Sequence, residues 1–138
     1  VHAGAFLRKR ELVLDSSLTG RPSELARILI HEIFHFAWVR LGNARRRSFE
    51  ELVGHELRQG ARGELGWSSE LRKNRLRPAD MRDRSRRWRE YVCESFCDTA
   101  AWRFAGLRAH AEFTLDRVSR ARRRKWLRHA GLESCIPI

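Results

Sequence analysis

The sequence predicts an α+β protein, mostly helical, with a small β-sheet or hairpin at its N-terminal end. Three observations carry this. Two short apolar runs, Phe6-Leu7 and Leu12-Val13-Leu14, flank the charged stretch Arg8-Lys9-Arg10-Glu11. Further along, apolar residues recur at helical spacing between residues that start and stop helices. A length of 138 residues suits one domain, residues 1–138, around a modest core.

Residues 2–15 read as extended, either a hairpin or one bent strand, and residues 15–20 as a turn. Arg21-Pro22-Ser23-Glu24 opens a helix, with Thr19 or Gly20 near the cap and Pro22 in the first turn. It runs to Leu41, where Gly42-Asn43 ends it. Residues 43–47 read as a basic loop. Ser48 with Glu51 forms a Ser-x-x-Glu capping box for a helix to about Gln59. Gly60, Gly63 and Gly66 make the next stretch irregular, and residues 67–76 read as a charged surface excursion. Pro78-Ala79-Asp80 begins a turn or a helix. A long helix from about Arg82 to Phe104 ends at Gly106. Residues 109–115 are ambiguous. Asp116 to His129 form a basic helix with Val118, Ala121 and Leu127 inward, closed by Gly131 and followed by a short apolar tail with Cys135.

Net charge is +12 and the pI about 11.3. The arginines are spread along the chain rather than gathered beside a recognition motif, which argues against a dedicated nucleic-acid binder while leaving nucleic acid a secondary partner. The longest apolar run, Ile28 to Leu41, is interrupted by His31, Glu32, His35 and Arg40, so no bilayer-spanning segment is expected. No signal-peptide pattern is visible. Three cysteines, an odd number, give no disulfide framework. A monomer in the reducing cytoplasm is the expectation.

That apolar run contains His31-Glu32-Ile33-Phe34-His35. On a helix, positions i and i+4 stand one above the other, so both imidazoles can reach one metal ion. Glu32 lies about 100° round the helix, placed to hold a water rather than the ion. This is the zinc-peptidase pattern. The surrounding residues are apolar on nearly every side, which predicts a core helix. Buried there without partners, each polar group would cost on the order of 2–7 kcal/mol. A metal offsets that cost.

A catalytic zinc usually takes three protein ligands and a water. Glu94 is the leading third candidate, because Glu94 and Asp98 are four residues apart on the long helix. One carboxylate can bind the metal while the other accepts the outer N–H of a ligating His. His55, His110, Glu51 and Glu56 are the remaining candidates.

With its His-Glu-x-x-His helix and a later helix carrying Glu94 and Asp98, the chain resembles the gluzincin metallopeptidases. By size it resembles the minigluzincins, compact catalytic-domain scaffolds with a zincin-like fold. The resemblance covers roughly residues 5 to 105. It implies zinc ligands His31, His35 and Glu94, general base Glu32, and Asp98 as the carboxylate behind a ligand His, His31 first. It implies a peptide or protein substrate and places Arg10–Leu14 near the strand that pairs with extended peptides. The distance from His35 to Glu94 is long for this family, so residues 43–80 must fold back. Minigluzincins can be latent, and residues 107–138 are long enough to lie across the cleft as an inhibitory segment; Cys135 reads first as a small apolar tail residue, with a thiolate cap on zinc as the alternative.

In that reading the developing oxyanion needs a donor besides the metal. Tyr91, one turn before Glu94, is one candidate, and His110 and His55 are others. Three alternatives stand beside it, one of them a basic helical nucleic-acid binder in which the motif is accidental. A SprT-like, DNA-associated metalloprotease would use His55 as third ligand. A zincin-fold binding or sensor module would be catalytically silent.

Overall fold

The computed structural model describes residues 3–138. They form a mostly helical α+β architecture with one two-stranded antiparallel sheet. Strands β1 (Ala3–Phe6) and β2 (Glu11–Leu14) pair with Ala3 opposite Leu14 and Phe6 opposite Glu11. A hairpin is thus chosen over a bent strand, with Arg10 turning the chain at φ 56°. The extended reading reached back to residue 2, which lies outside the described residues. A 3-10 turn, Ser16–Gly20, leads into helix α1 (Pro22–Arg40). Proline fits in the first helical turn because the N–H it lacks has no partner there.

Helix α2 runs Asn43–Arg58, directly after Gly42 at φ 83°. The expected basic loop is therefore helical and the Ser48–Glu51 capping box is not the helix start. Arginines propagate a helix well, and the left-handed Gly42 reverses the chain in one residue. Helix α3 (Trp67–Lys73) occupies the expected surface excursion and packs against the long helix α5 (Arg86–Phe104). Between them α4 (Pro78–Arg82) is a short turn of helix. Ser85 caps α5, its hydroxyl accepting from Trp88 N at 3.2 Å, so α5 starts four residues later than expected. Asp116 caps α6 (Arg117–His129) in the same way, through Ser119 N at 2.9 Å.

α5 is the centre of the molecule, packed against α1, α3, α2 and α4. Its Trp88, Tyr91, Val92, Phe96, Cys97 and Ala100 meet Phe34 and Ala37 of α1, Phe49 and Val53 of α2, and Leu127 of α6. Phe96 and Phe49 lie edge-to-face at 5.5 Å between ring centroids, and Trp126 closes on Phe49 at 4.9 Å, a geometry that favours aromatic pairs beyond area burial alone. α1 is less enclosed than its composition predicts: only Arg27, Phe34 and Ala37 are buried. The hairpin and the 3-10 turn cover the rest only in part. No helix of the described residues is long and apolar enough to cross a membrane.

The inward face of α6 also differs from the expectation. Val118 is exposed, and so is Ala121. The buried positions are Ser119, Arg123 and Leu127, again one helical turn apart. Arg123 is completely buried. Its guanidinium meets Glu56 at 2.6 Å and Glu64 at 2.8 Å, and donates to Thr99 Oγ1 at 3.1 Å. Tyr91 donates its hydroxyl to the same Glu64 at 2.5 Å. Burial works against the Glu64 charge, but Arg123 outweighs it and holds the carboxyl below its usual range. This network ties α2, α5, α6 and the Gly60–Gly66 stretch together. α6 is therefore part of the core, and no residue after Glu112 lines the cleft described below.

Candidate metal centre

α1 and α5 pack so that His31 and His35 face Glu94 and Asp98. The two imidazole centroids are 5.1 Å apart, as one helical turn on a shared face requires. Glu94 reaches both: Oε2 lies 3.2 Å from His31 Nε2 and Oε1 lies 3.8 Å from His35 Nε2. The other ring nitrogens are engaged elsewhere. His31 Nδ1 meets Asp98 Oδ1 at 2.7 Å, and His35 Nδ1 meets Cys93 Sγ at 3.6 Å. A partner on Nδ1 fixes the ring and leaves Nε2 as the outward donor, the arrangement a metal ligand needs.

The electrostatics follow from this geometry. Burial disfavours a charged His31, but the hydrogen bonds and charges of Asp98 and Glu94 win and raise its pKa to about 10. Burial likewise works against the Glu94 carboxylate. His31 and the hydroxyl of Ser68 overcome it and lower Glu94 to about 2. Without metal, a proton on His31 thus balances two carboxylates. His35 is also raised, because the Cys93 contact outweighs burial.

Asp98 is buried and held on three sides. Ser69 gives it a backbone N–H at 2.9 Å and a hydroxyl at 2.7 Å, both on Oδ2, while His31 takes Oδ1. Ser68 donates to Glu94 Oε2 at 2.6 Å. Both serines stand at the start of α3, so the long segment between the two motifs does fold back, and it braces both carboxylates. Gly66 makes the approach possible: a Cβ there would lie 2.2 to 2.5 Å from the Asp98 carboxyl atoms. Ser68, Ser69 and Gly66 were missed in the sequence. The only local signal was Gly-x-Ser-Ser ahead of a charged segment, which reads equally well as a loop.

The cleft has a volume of about 710 Å³ and is lined by His31, Glu32, His35, Glu94 and Asp98, with Ala3 and Gly4 of β1 on one rim and Trp67, Ser68 and Arg72 on another. β2 contributes no lining residue; the strand at the cleft is β1, and the Arg10–Leu14 stretch lies beside it as its hairpin partner. Glu32 has no hydrogen bond or ion pair among the described residues, which leaves its carboxylate available in the cleft. Arg27, one turn before His31, is clamped by Glu24 at 3.0 Å and Glu112 at 2.9 Å.

The three expected donors, Tyr91, His110 and His55, sit elsewhere. Tyr91 does not reach the cleft, because its hydroxyl is buried on Glu64 and the face it shares with Glu94 turns inward one turn earlier. His110 is spent on Glu24 through Nε2 and accepts from Glu112 N through Nδ1 at 3.1 Å. His55 is exposed on α2 and does not line the cleft. Glu51 is likewise exposed, and Glu56 is committed to Arg123. Cys135 is exposed in the tail.

Two donor sets therefore compete for a metal. His31, His35 and Cys97 each offer one atom within 4.8 Å of the others. Cys97, however, is fully buried and lies outside the cleft lining, and burial pushes its thiol well above the ordinary range. A thiol must ionise to bind a metal. Glu94 is already ionised, lines the cleft, and lies near both Nε2 atoms. Two imidazoles and a carboxylate make a donor set that fits zinc, with a carboxylate behind one His. Comparisons with family models, with curated proteins and with solved structures give no match to this chain.

Proposed function

We propose that this chain is a zinc metallopeptidase of gluzincin type that hydrolyses peptide bonds, with His31, His35 and Glu94 as ligands and Glu32 as general base and acid. One observation carries the reading: an unpartnered Glu32 shares a cleft with two histidines whose Nε2 atoms lie 3.2 and 3.8 Å from Glu94 oxygens. Bound there, zinc supplies Lewis acidity to water and to the scissile carbonyl. Glu32 takes the proton of the attacking water and delivers it to the leaving amine nitrogen. Asp98 holds His31 by Nδ1 and so keeps Nε2 aimed at the cleft. Arg72, 3.7 Å from Glu94, is the side-chain donor the cleft offers to the carbonyl oxygen, in the role assigned above to Tyr91 or His110. The edge of β1 at Ala3 and Gly4 provides main-chain groups for an extended substrate.

A second reading is favoured by the proximity of Cys97: a catalytically silent site in which His31, His35 and Cys97 hold a metal. Elemental analysis separates the two. About one zinc per chain, lost in Glu94→Gln and kept in Cys97→Ala and His55→Ala, is the expected result. Zinc lost in Cys97→Ala and kept in Glu94→Gln would favour the silent site. Glu32→Gln should keep its zinc and lower kcat by about 10²–10⁴. No peptidase activity in the zinc-loaded wild type would refute the peptidase reading.

A further inference from the structure

Beside the cleft lies a second concavity of about 490 Å³, lined by Leu71, Arg72, Arg75, Arg77, Arg87 and Glu90. Arg72 lines both, so the two adjoin at one side chain. Its guanidinium is fixed there by Ser68, through the carbonyl at 3.1 Å and the hydroxyl at 2.8 Å. Arg75, Arg77 and Arg87 are exposed and make no side-chain hydrogen bond or salt bridge among the described residues. The one carboxylate in the lining, Glu90, is already paired with Arg86 at 2.7 Å. Asp80, which accepts from Arg77 N at 2.7 Å and Ser85 Oγ at 2.6 Å, interacts with the charges of Arg87 and Arg77 without bonding to their side chains and offsets them only in part.

A chain of this charge has many arginines on its surface, so the contrast with another group matters. Near Glu50, Arg84 forms a two-bond pair with that carboxylate at 2.8 and 3.0 Å. There the positive charge is answered within the chain. In the concavity beside the cleft Arg72 leans on Glu94 at 3.7 Å, while Arg75, Arg77 and Arg87 have no carboxylate bonded to them among the described residues and line a space of about 490 Å³.

We infer that this arginine concavity binds acidic side chains of a peptide whose backbone passes through the cleft, making the site selective for acidic segments. The location relative to the scissile bond rests on the peptidase reading, whereas the binding itself does not. Guanidinium groups match carboxylates by paired, planar hydrogen bonds. A peptide is favoured over a nucleic acid because no aromatic side chain lines the concavity to stack a base, and because the groups enclose a pocket rather than track a stripe of phosphates.

The test is fluorescence anisotropy with a short labelled Glu-rich peptide and its Gln counterpart, titrated with full-length Glu32→Gln protein under chelation at physiological ionic strength. The acidic peptide should bind and the Gln peptide should bind at least roughly tenfold more weakly. Arg75→Glu with Arg77→Glu should weaken acidic-peptide binding by a similar factor. Arg122→Glu with Lys125→Glu, the same charge change on the exposed face of α6, should leave it within about twofold. Both pairs are surface changes, and their helical circular dichroism verifies folding. Equal weakening by the two pairs, equal binding of the Gln peptide, or stronger competition by an oligonucleotide of matched charge would each overturn the inference. Binding without any cleavage by zinc-loaded wild type would refute the peptidase reading and leave the acidic site standing. Cleavage of neutral and acidic peptides at equal rates, with no binding preference, would do the reverse.

Discussion

Two charged clusters meet α5, and they are built to opposite ends. Around Arg123, one cation is surrounded by Glu56, Glu64, Thr99 and the Tyr91 hydroxyl, with Arg123, Glu56 and Glu64 sealed from solvent. Around His31, three of four oxygens on Glu94 and Asp98 are engaged at short range, yet the histidines keep their Nε2 edges in an open cleft. The first cluster has no vacancy for chemistry and serves to join helices. The second sets two carboxylates around a protonated His31 on the wall of an open cleft, where in the proposed reading a metal takes that proton's place. Satisfaction on every side marks stability; satisfaction from behind, with one side left open, marks function.

The largest effect should come from opening the sealed cluster. Arg123→Met leaves two carboxylates buried without their cation and should cost about 3–5 kcal/mol in urea unfolding, enough to unfold much of a marginal domain. If the comparison is right, whatever folds still binds zinc. Loss of zinc binding in folded Arg123→Met would show the two clusters to be one unit.

Next is the pH response of the metal-free protein, which belongs to the open cluster. His31 is raised to about 10, so its contribution is fully present below about 6.5 and is lost as pH rises through about 10. Glu94 is lowered to about 2, so its contribution is present above about 4.5 and is lost as pH falls through about 2. The two share the His31–Glu94 contact, to which Asp98 adds on the His31 side, and are not summed. Stability measured under chelation should form a plateau between roughly pH 4.5 and 6.5 and decline on both sides. Zinc must displace the His31 proton, so its affinity should rise with pH below about 10. An alkaline limb unchanged in Asp98→Asn would remove His31 as its origin.

Gly66→Ala tests the brace behind the open cluster. The new methyl must displace Asp98, at about 1–3 kcal/mol for overpacking and with loss of the Ser69 and His31 contacts. Zinc affinity should fall along with stability. A stable variant with wild-type zinc affinity would mean that α3 is not a brace.

The same contrast explains what could be read from residues alone. The extended N-terminal stretch, α1, α5 and α6 were legible as elements because proline, a capping aspartate and closing glycines act locally, whereas hairpin against bent strand stayed open and the Ser85 cap of α5 was not seen. The pairing of His31–His35 with Glu94–Asp98 was legible too, since each pair depends only on the helical repeat. Arg123 was not legible: an arginine in a basic helix looks solvated until its two carboxylates, 59 and 67 residues away, are known. Ser68 and Ser69 were hidden in the same way, by partners two helices further on. Tyr91 misled because sharing a helix face with Glu94 fixes direction only to within a turn, and one turn separates the cleft from the core.

The smallest effect should separate the two histidines from each other. His31 leans on a carboxylate at 2.7 Å, itself fixed by Ser69, while His35 leans on a thiol at 3.6 Å. Partners behind a ligand His are worth about 10–100-fold in metal affinity. Asp98→Asn should fall near the upper end, because it removes a charge that favours the ligand and leaves one acceptor oxygen to serve both His31 and the Ser69 donors. Cys93→Ala should fall at or below the lower end, because a sulfur contact is long and weak. Cys97 donates to Cys93 and, against burial, lowers that thiol to about 6, with His35 adding to the effect, so Cys93→Ser, which keeps a hydrogen-bonding atom but not the acidity, separates ring orientation from charge. Zinc affinity restored by Ser would assign Cys93 to orientation. Affinity as low as in Cys93→Ala would mean that thiolate charge is what His35 requires, and the two histidines would then be supported in the same way after all.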